Sequence, residues 1–310
     1  MSDCKEPLDV VVVGNIGIDT NVYLAGADID FSVEANFTEN RDYIGQAGGY
    51  ASRGYARLGK RTAFLGYAGD DYSGRHIREC LQQDGIDISG LFIDPAGTSR
   101  SINFMYRDGR RRNFYDGKSH MTLQPDEGLC ERILSRARLA HFNIPNWARS
   151  LLPIARRRGM TVATDLQDVM SLDDPYRRDF IEQSDILFLS AANHADPHPL
   201  IAALMRGSPE LIVVVGMGSR GCALGVEGEI SEFPPVSMER PVIDTNGAGD
   251  GLAAGFLASY VLEGRTLAES VLRGQLAARY TCTLKATSSE LISHAQLDEM
   301  ADKQNWDCVI

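Results

Sequence analysis

The chain has 310 residues, 44% of them hydrophobic and 24% charged. That length fits about two ordinary domains or one large α/β body, and the composition excludes wholesale disorder. Lys and Arg number 31 against 42 Asp and Glu, a formal net charge of −11, so the broad basic footprint of a nucleic-acid binder is absent. The first predicted element is Leu8 to Val13, a β-branched run ending at Gly14. Unbroken apolar strands of this kind lie buried in parallel sheets. Similar runs recur at Thr62–Phe64, Leu139–Phe142, Thr161–Ala163, Asp185–Leu189 and Leu211–Val215. Helical stretches lie between them at Gly48–Leu58, Gly74–Asp84, Cys130–Ala137, Leu151–Arg158 and Pro197–Met205. Strands alternating with helices predict a doubly wound, mainly parallel α/β sheet flanked by helices.

Two segments break the rhythm. Asn21 to Gly45 is polar and extended, and Thr98 to Asp116 reads as two alternating strands joined at Asp108-Gly109, a hairpin signal. Together they predict a small β-sheet lid, from about 15–45 and 98–117, on a single α/β domain. Ile102, Phe104 and Tyr106 alternate like one strand face, which suits a core or a dimer contact. An exposed β lid could pair two copies into a homodimer.

Cys4, Cys80, Cys130, Cys222, Cys282 and Cys308 are scattered without CxxC or zinc-like spacing, which predicts reduced thiols. No basic leader precedes the first strand, and no run approaches about 18 apolar residues. A cytoplasmic protein with no membrane partner is expected.

The chemistry concentrates in Val242 to Leu262. Asp244, Thr245 and Asn246 lead into Gly247-Ala248-Gly249-Asp250, followed by a helix carrying Leu252, Phe256, Leu257 and Val261. Bare glycines at a helix N-terminus let amide N–H groups approach an anion, which the helix dipole also favours. Asp250 in the same turn is at first sight a poor neighbour for that anion. It makes sense as a base for a hydroxyl attacking a bound phosphorus. The plain alternative is a helix-capping Asp on a Gly-rich loop.

This segment resembles the signature of the ribokinase/PfkB family of sugar and nucleoside kinases, Asp-Thr-x-Gly-Ala-Gly-Asp before an apolar helix. A second signature of that family is similar to Gly45-Gln46-Ala47-Gly48-Gly49-Tyr50 with Ala56-Arg57-Leu58-Gly59. It continues through Gly66, Gly69-Asp70-Asp71, Gly74 and Asp84-Gly85-Ile86. Gln46 and Tyr50 replace the family's second Gly and its Asn, where the acceptor substrate is met. The resemblance runs from Val10 to about Ala286. It implies a ribokinase-like α/β fold and an ATP-dependent kinase acting on a hydroxyl of a small sugar or sugar-like molecule. Asp250 would be the base, with the amides of Gly247, Ala248 and Gly249 as anion hole. Asp19, Gly45, Gln46, Tyr50 and Asp165 would meet the acceptor. Gly218, Arg220, Gly221, Asp244, Thr245 and Asn246 would lie against the nucleotide.

The resemblance also implies Mg²⁺ on the nucleotide phosphates and allows a monovalent cation such as K⁺ near Asp244 and Thr245. The family's Asn-x-x-Glu motif reads Ser190-Ala191-Ala192-Asn193 here, without the carboxylate. Two other readings stay open: a nucleoside kinase, in which Tyr50 could stack on a base, and a catalytically weak sugar-binding sensor. Gly216-Met217-Gly218-Ser219-Arg220-Gly221 spells a dinucleotide fingerprint, but the chain continues toward another strand instead of the helix that fingerprint needs. Gly117-Lys118-Ser119 lacks the earlier glycine of a Walker A loop, and the basic run Arg110-Arg111-Arg112 suits either a solvated turn or a phosphate contact.

Overall fold

In a computed structural model, residues 6–304 are described, apart from Gly109 and Asp173. Cys4, Cys308 and the Gly109 half of the expected turn lie outside the described residues. Thirteen strands occur among the described residues: β1 (Val10–Val13), β2 (Gly17–Leu24), β3 (Thr38–Gly45), β4 (Thr62–Ala68), β5 (Asp87–Ile93), β6 (Ser99–Met105), β7 (Arg111–Asp116), β8 (Leu139–Phe142), β9 (Thr161–Asp168), β10 (Ile186–Ser190), β11 (Ile212–Gly216), β12 (Cys222–Val226) and β13 (Glu229–Phe233). The main helices are α1 (Gln46–Arg57), α2 (Tyr72–Gln83), α3 (Glu127–Leu134), α4 (Leu152–Arg157), α5 (Arg178–Glu182), α6 (His198–Gly207), α7 (Ala248–Leu257), α8 (Leu267–Thr281) and α9 (His294–Asp302).

A nine-stranded sheet runs β13-β12-β11-β10-β9-β8-β1-β4-β5. Every pairing from β11 to β5 is parallel, and only the β12 and β13 edge is antiparallel. The four valines of β1 are fully buried because each face of their sheet carries helices. Val10 and Val12 join a core with α1, α2, α7, α8 and α9, whereas Val11 and Val13 join one with α3 to α6.

The second sheet has the order β3-β2-β6-β7 and draws on both segments that break the sequence rhythm. Its register aligns Tyr43, Asp19, Ser101 and Tyr115 in one row. The next rows are Arg41, Asn21, Asn103, Asn113 and then Glu39, Tyr23, Met105, Arg111. Alternation therefore gathers polar side chains on the face toward the large sheet and turns Ile102 and Phe114, 40% and 55% exposed, outward. That inverts the usual pattern of a sheet packed on a core. Ile102 is not a core residue of this chain.

One strand goes beyond the sequence reading. Asp87–Ile93 forms β5 although Asp87 and Gly90 weaken its strand pattern. As expected, the Gly216–Gly221 loop turns into a strand, β12, which returns antiparallel to β11. Cys80, Cys130, Cys222 and Cys282 are free thiols, as expected. No described helix is long and apolar enough to cross a membrane.

Candidate active site

Chain connections leave β1 toward β4 and β5 on one side, whereas β8 to β11 lie on the other. In doubly wound sheets the crevice beyond the strand C-termini at such a switch point is where ligands bind. Asn15 follows β1 there, and Asn143 follows β8. Asn143 is fully buried, yet neither polar atom of its amide meets a partner among the described residues. Gly14 makes room for it: a Cβ on residue 14 would come within 2.9 Å of Asn143 Cγ. An unpaired buried amide costs free energy unless a ligand or water completes it. Sequence reasoning passed over Asn143; its only local signal is a polar residue directly after a buried strand.

Asp19 stands on the inward face of β2 and is 6% exposed. One carboxylate oxygen accepts from the Gln46 amide N–H at 3.2 Å, and the other has no partner. Gly45 permits this approach, because a Cβ there would lie 2.8 Å from Asp19 Cβ. Gln46 occupies the left-handed region with φ 60°, a conformation that suits the glycine of the related motif. Its Oε1 accepts from Asn15 Nδ2 at 3.2 Å and Ser99 Oγ at 3.0 Å, while its Nε2 is buried without a partner. A hollow beside these groups is walled by Asn15, Tyr67, Tyr115, His120 and Trp147.

The opposite wall is the start of α7. Gly247 caps it in the left-handed conformation, φ 75°, and Asp250 lies in the first turn. A Cβ on residue 247 would come within 2.7 Å of Tyr50 Cζ, so the loop rests on the Tyr50 ring. Tyr50 itself is 4% exposed and meets Tyr43 edge-on at 6.0 Å. Gly249 is exposed, and its N–H finds no acceptor among the described residues, as expected for a first helical turn.

Three carboxyls face this space. Burial raises the Asp19 carboxyl to about 6, against the Gln46 hydrogen bond. Burial likewise raises Asp165, at the C-terminal part of β9, to about 6. Asp250 is driven well above the usual carboxylate range, first by burial and then by the negative charges of Asp165 and Asp19. Arg111 pulls the other way on both Asp19 and Asp250. The structure thus brings Asp19, Gly45, Gln46, Asp165, Gly247, Ala248, Gly249 and Asp250 around one crevice.

Arg111 reaches in from β7 and hydrogen-bonds Asn246 Oδ1. Of the basic run, Arg110 stays outside, paired with Asp108 at 2.7 Å and stacked on Tyr106. Arg110 lies in the turn just before β7, whereas Arg111 is the first residue of that strand. Asp244 and Asn246 are buried, whereas Thr245 is exposed. Gly218 and Gly221 flank the exposed turn after β11, and Arg220 donates to the Ala195 carbonyl at 2.9 Å. On the adjoining rim, Asn193 Nδ2 donates to Asp168 Oδ2 at 3.3 Å, and Asp168 pairs in register with Ser190.

The architecture is the ribokinase-like α/β fold, with its crevice bounded by a helix N-terminus and a second small sheet. The pfkB family carbohydrate kinase profile matches residues 8–293. The acarbose 7(IV)-phosphotransferase of Actinoplanes sp. (strain ATCC 31044 / CBS 674.73 / SE50/110) is 31% identical over 303 residues, covering 94% of this chain and 98% of that protein. The fructokinase of Klebsiella pneumoniae is 28% identical over 261 residues, with 76% and 83% covered. Among solved structures, a microbiome-derived acarbose kinase superposes with a TM-score of 0.87 at 29% identity, covering 96% of this chain and 100% of that one. Arabidopsis thaliana ribokinase, complexed with ribose and ATP, shares the fold at a TM-score of 0.80 and 20% identity, covering 97% and 100%. This chain belongs to the pfkB family of carbohydrate kinases. The family and the fold expected from the sequence both hold.

Proposed function

We propose that the chain transfers the γ-phosphoryl group of ATP to a hydroxyl of a sugar or sugar-like polyol bound between Asp19 and Asp250. The Asp250 carboxylate would accept the hydroxyl proton as that oxygen attacks phosphorus. The bond to the departing ADP oxygen breaks, leaving a sugar phosphate and ADP. The amides of Gly247, Ala248 and Gly249 would meet charge developing on the transferring group; such a preorganised donor is worth about 10²–10³ in rate. Raised by burial and two like charges, Asp250 is a stronger base than a surface carboxylate, which suits proton transfer.

Asp19 would bind acceptor hydroxyls through its unpaired oxygen, aided by Gln46 Nε2 and the Asn143 amide. The Tyr115, His120 and Trp147 hollow would take the non-reacting part of the molecule. Its chemistry, aromatic faces beside unpaired amides, fits a carbohydrate. Tyr50 is packed beneath the loop, so it offers no exposed ring for a nucleobase.

Gly218, Gly221 and Thr245 would line the nucleotide. Mg²⁺ fits the donor chemistry as an ion carried mainly by nucleotide phosphates, with Asp168 as the carboxylate on the rim where Ser190 and Asn193 supply none. When bound it would neutralise phosphate charge. The outward apolar residues Ile102 and Phe114 would be covered by the same face of a second copy.

The observation that carries this reading is the convergence of a crowded carboxylate, a helix N-terminal turn with the Gly249 N–H left without an acceptor, and an unpaired polyol-type acceptor, Asp19 Oδ1, on one crevice. A panel of pentoses, hexoses, their phosphates and nucleosides, read by ADP release, tests it. A sugar should be turned over and Asp250→Asn should lose about 10²–10⁴ of that rate. ADP release with no acceptor on the panel, or full turnover by the variant, would refute it. A ligand that binds without ADP release would favour the sensor.

A further inference from the structure

The carboxylate of Asp244 is the group to which family resemblance would direct a monovalent cation, and in this chain its coordination is largely taken. Asp244 Oδ2 accepts from Asn21 Nδ2 at 2.6 Å and from the Tyr23 hydroxyl at 2.7 Å. Asp244 Oδ1 accepts from the Asn246 amide N–H at 2.9 Å. A carboxylate oxygen offers two lone pairs, so Oδ2 is saturated by charge-assisted bonds. Three donor hydrogens therefore take up lone pairs of this carboxylate that a cation would use. K⁺ sites are instead built from oxygen lone pairs turned toward one point. The donor set does not fit the ion.

Asn21 is the hub of this arrangement and is completely buried. Its orientation is fixed by chemistry, because a carboxylate can only accept and so the amide nitrogen must face Asp244. The amide oxygen then receives Asn103 Nδ2 at 2.9 Å, Asn246 Nδ2 at 3.1 Å and the Tyr43 hydroxyl at 3.3 Å. All of these are donors, which agrees with that orientation; the two amide groups fill the lone pairs of the oxygen, and the Tyr43 hydroxyl, the longest contact, shares one. Asn246, the residue before the Gly247 cap, is thus held by β2 through Asn21 and by β7 through Arg111. A positive charge of the chain's own stands nearby. Lys285 lies 4.4 Å from the Tyr23 ring centroid and pairs with Glu39 at 2.6 Å.

We propose that Asn21 and Tyr23 of the small sheet take the place of a monovalent cation at Asp244, so that hydrogen bonds from the sheet hold the anion-hole loop. Both are positioning residues. Their effect on turnover rests on the phosphotransfer reading above, but the replacement of an ion does not.

The test compares potassium, sodium and caesium chlorides with choline chloride at equal ionic strength. The wild-type unfolding midpoint should be the same in all four to within about 1 °C, whereas a specifically bound ion would raise it with concentration. A potassium-specific rise overturns the proposal whether or not the chain turns over any sugar. In activity, kcat should vary less than about twofold among the salts, and tenfold activation by potassium also overturns it. Tyr23→Phe frees one lone pair on Oδ2 with little change in shape. It should lower kcat by about three- to tenfold at unchanged nucleotide affinity, with potassium restoring part of the loss. Asn21→Asp puts a second carboxylate against Asp244 and should create a potassium-dependent unfolding midpoint. A Tyr23→Phe enzyme with wild-type kcat and no response to potassium overturns the assignment even if Asn21→Asp does not fold.

Discussion

Asp19→Asn separates what the crevice does for binding from what it costs the fold. Burial lifts the Asp19 carboxyl from its ordinary 3.8 to about 6. The folded state therefore resists ionising this group. A rise of about two units corresponds to about 3 kcal/mol at about 1.4 kcal/mol per unit. For an acid raised on folding, that penalty is absent below the unfolded value near 3.8. It grows as pH passes through the interval to about 6 and is complete above. Asn keeps an oxygen for the Gln46 N–H and removes the charge. An unfolding entropy of about 2.1 cal/mol/K per residue makes 3 kcal/mol worth about 4–5 °C in a chain of this length.

The variant should accordingly melt about 4 °C higher than wild type at pH 8, with the advantage fading between pH 6 and pH 4. Differential scanning fluorimetry at several pH values measures both quantities. The same variant should lose acceptor binding, seen as a KM raised at least about tenfold, because an amide whose oxygen meets the Gln46 N–H turns an NH2 donor toward the ligand where the carboxylate offered an acceptor oxygen. Equal melting of the two proteins at pH 8, or an advantage that persists unchanged at pH 4, would refute the electrostatic account of Asp19.

Gly247→Ala forces a side chain into a left-handed residue, at about 1–2 kcal/mol, and into contact with the Tyr50 ring. It should stay folded and lose at least about tenfold in kcat; wild-type turnover would show that the amides need not keep their present geometry. Asp168→Asn should raise the Mg²⁺ concentration for half-maximal rate several-fold without altering acceptor KM. An unchanged Mg²⁺ titration would remove Asp168 from the nucleotide rim.

The large sheet was legible because its strands are buried on both faces and so read as continuous β-branched runs; Val10–Val13 and Leu139–Phe142 are such cases. Strand β5 was hidden by Asp87 and Gly90, and pairing with β4 overrides that weak local pattern. Helices α8 and α9 were passed over although Thr266-x-x-Glu269 and Ser293-x-x-Gln296 are capping boxes, both closed in the structure. In the crevice, Asp19, Gly45 and the Gly247–Asp250 turn stood out because their chemistry is local to a short motif. Asn21, Arg111 and Asn143 did not. Each acquires meaning only from strand register or from a partner far along the chain, such as Asp244 for Asn21 and Asn246 for Arg111.

The inverted alternation of the small sheet links these observations. A sheet laid over a hydrophobic core turns its apolar residues toward it, but here the inward rows carry Asp19, Asn21, Asn103, Asn113 and Arg111. An inward polar face is tolerable only where its groups find partners. Asn21, Asn103, Asn113 and Arg111 find theirs in one another and in the Asp244–Asn246 loop, whereas one oxygen of Asp19 finds none. The rows nearest the loop are therefore structurally complete, and the row carrying Asp19 is left for a ligand. A hydroxyl-rich molecule seated there would satisfy Asp19 while the adjacent rows hold the turn that leads into α7. The same sheet would then sense the acceptor and fix the geometry at the phosphoryl group.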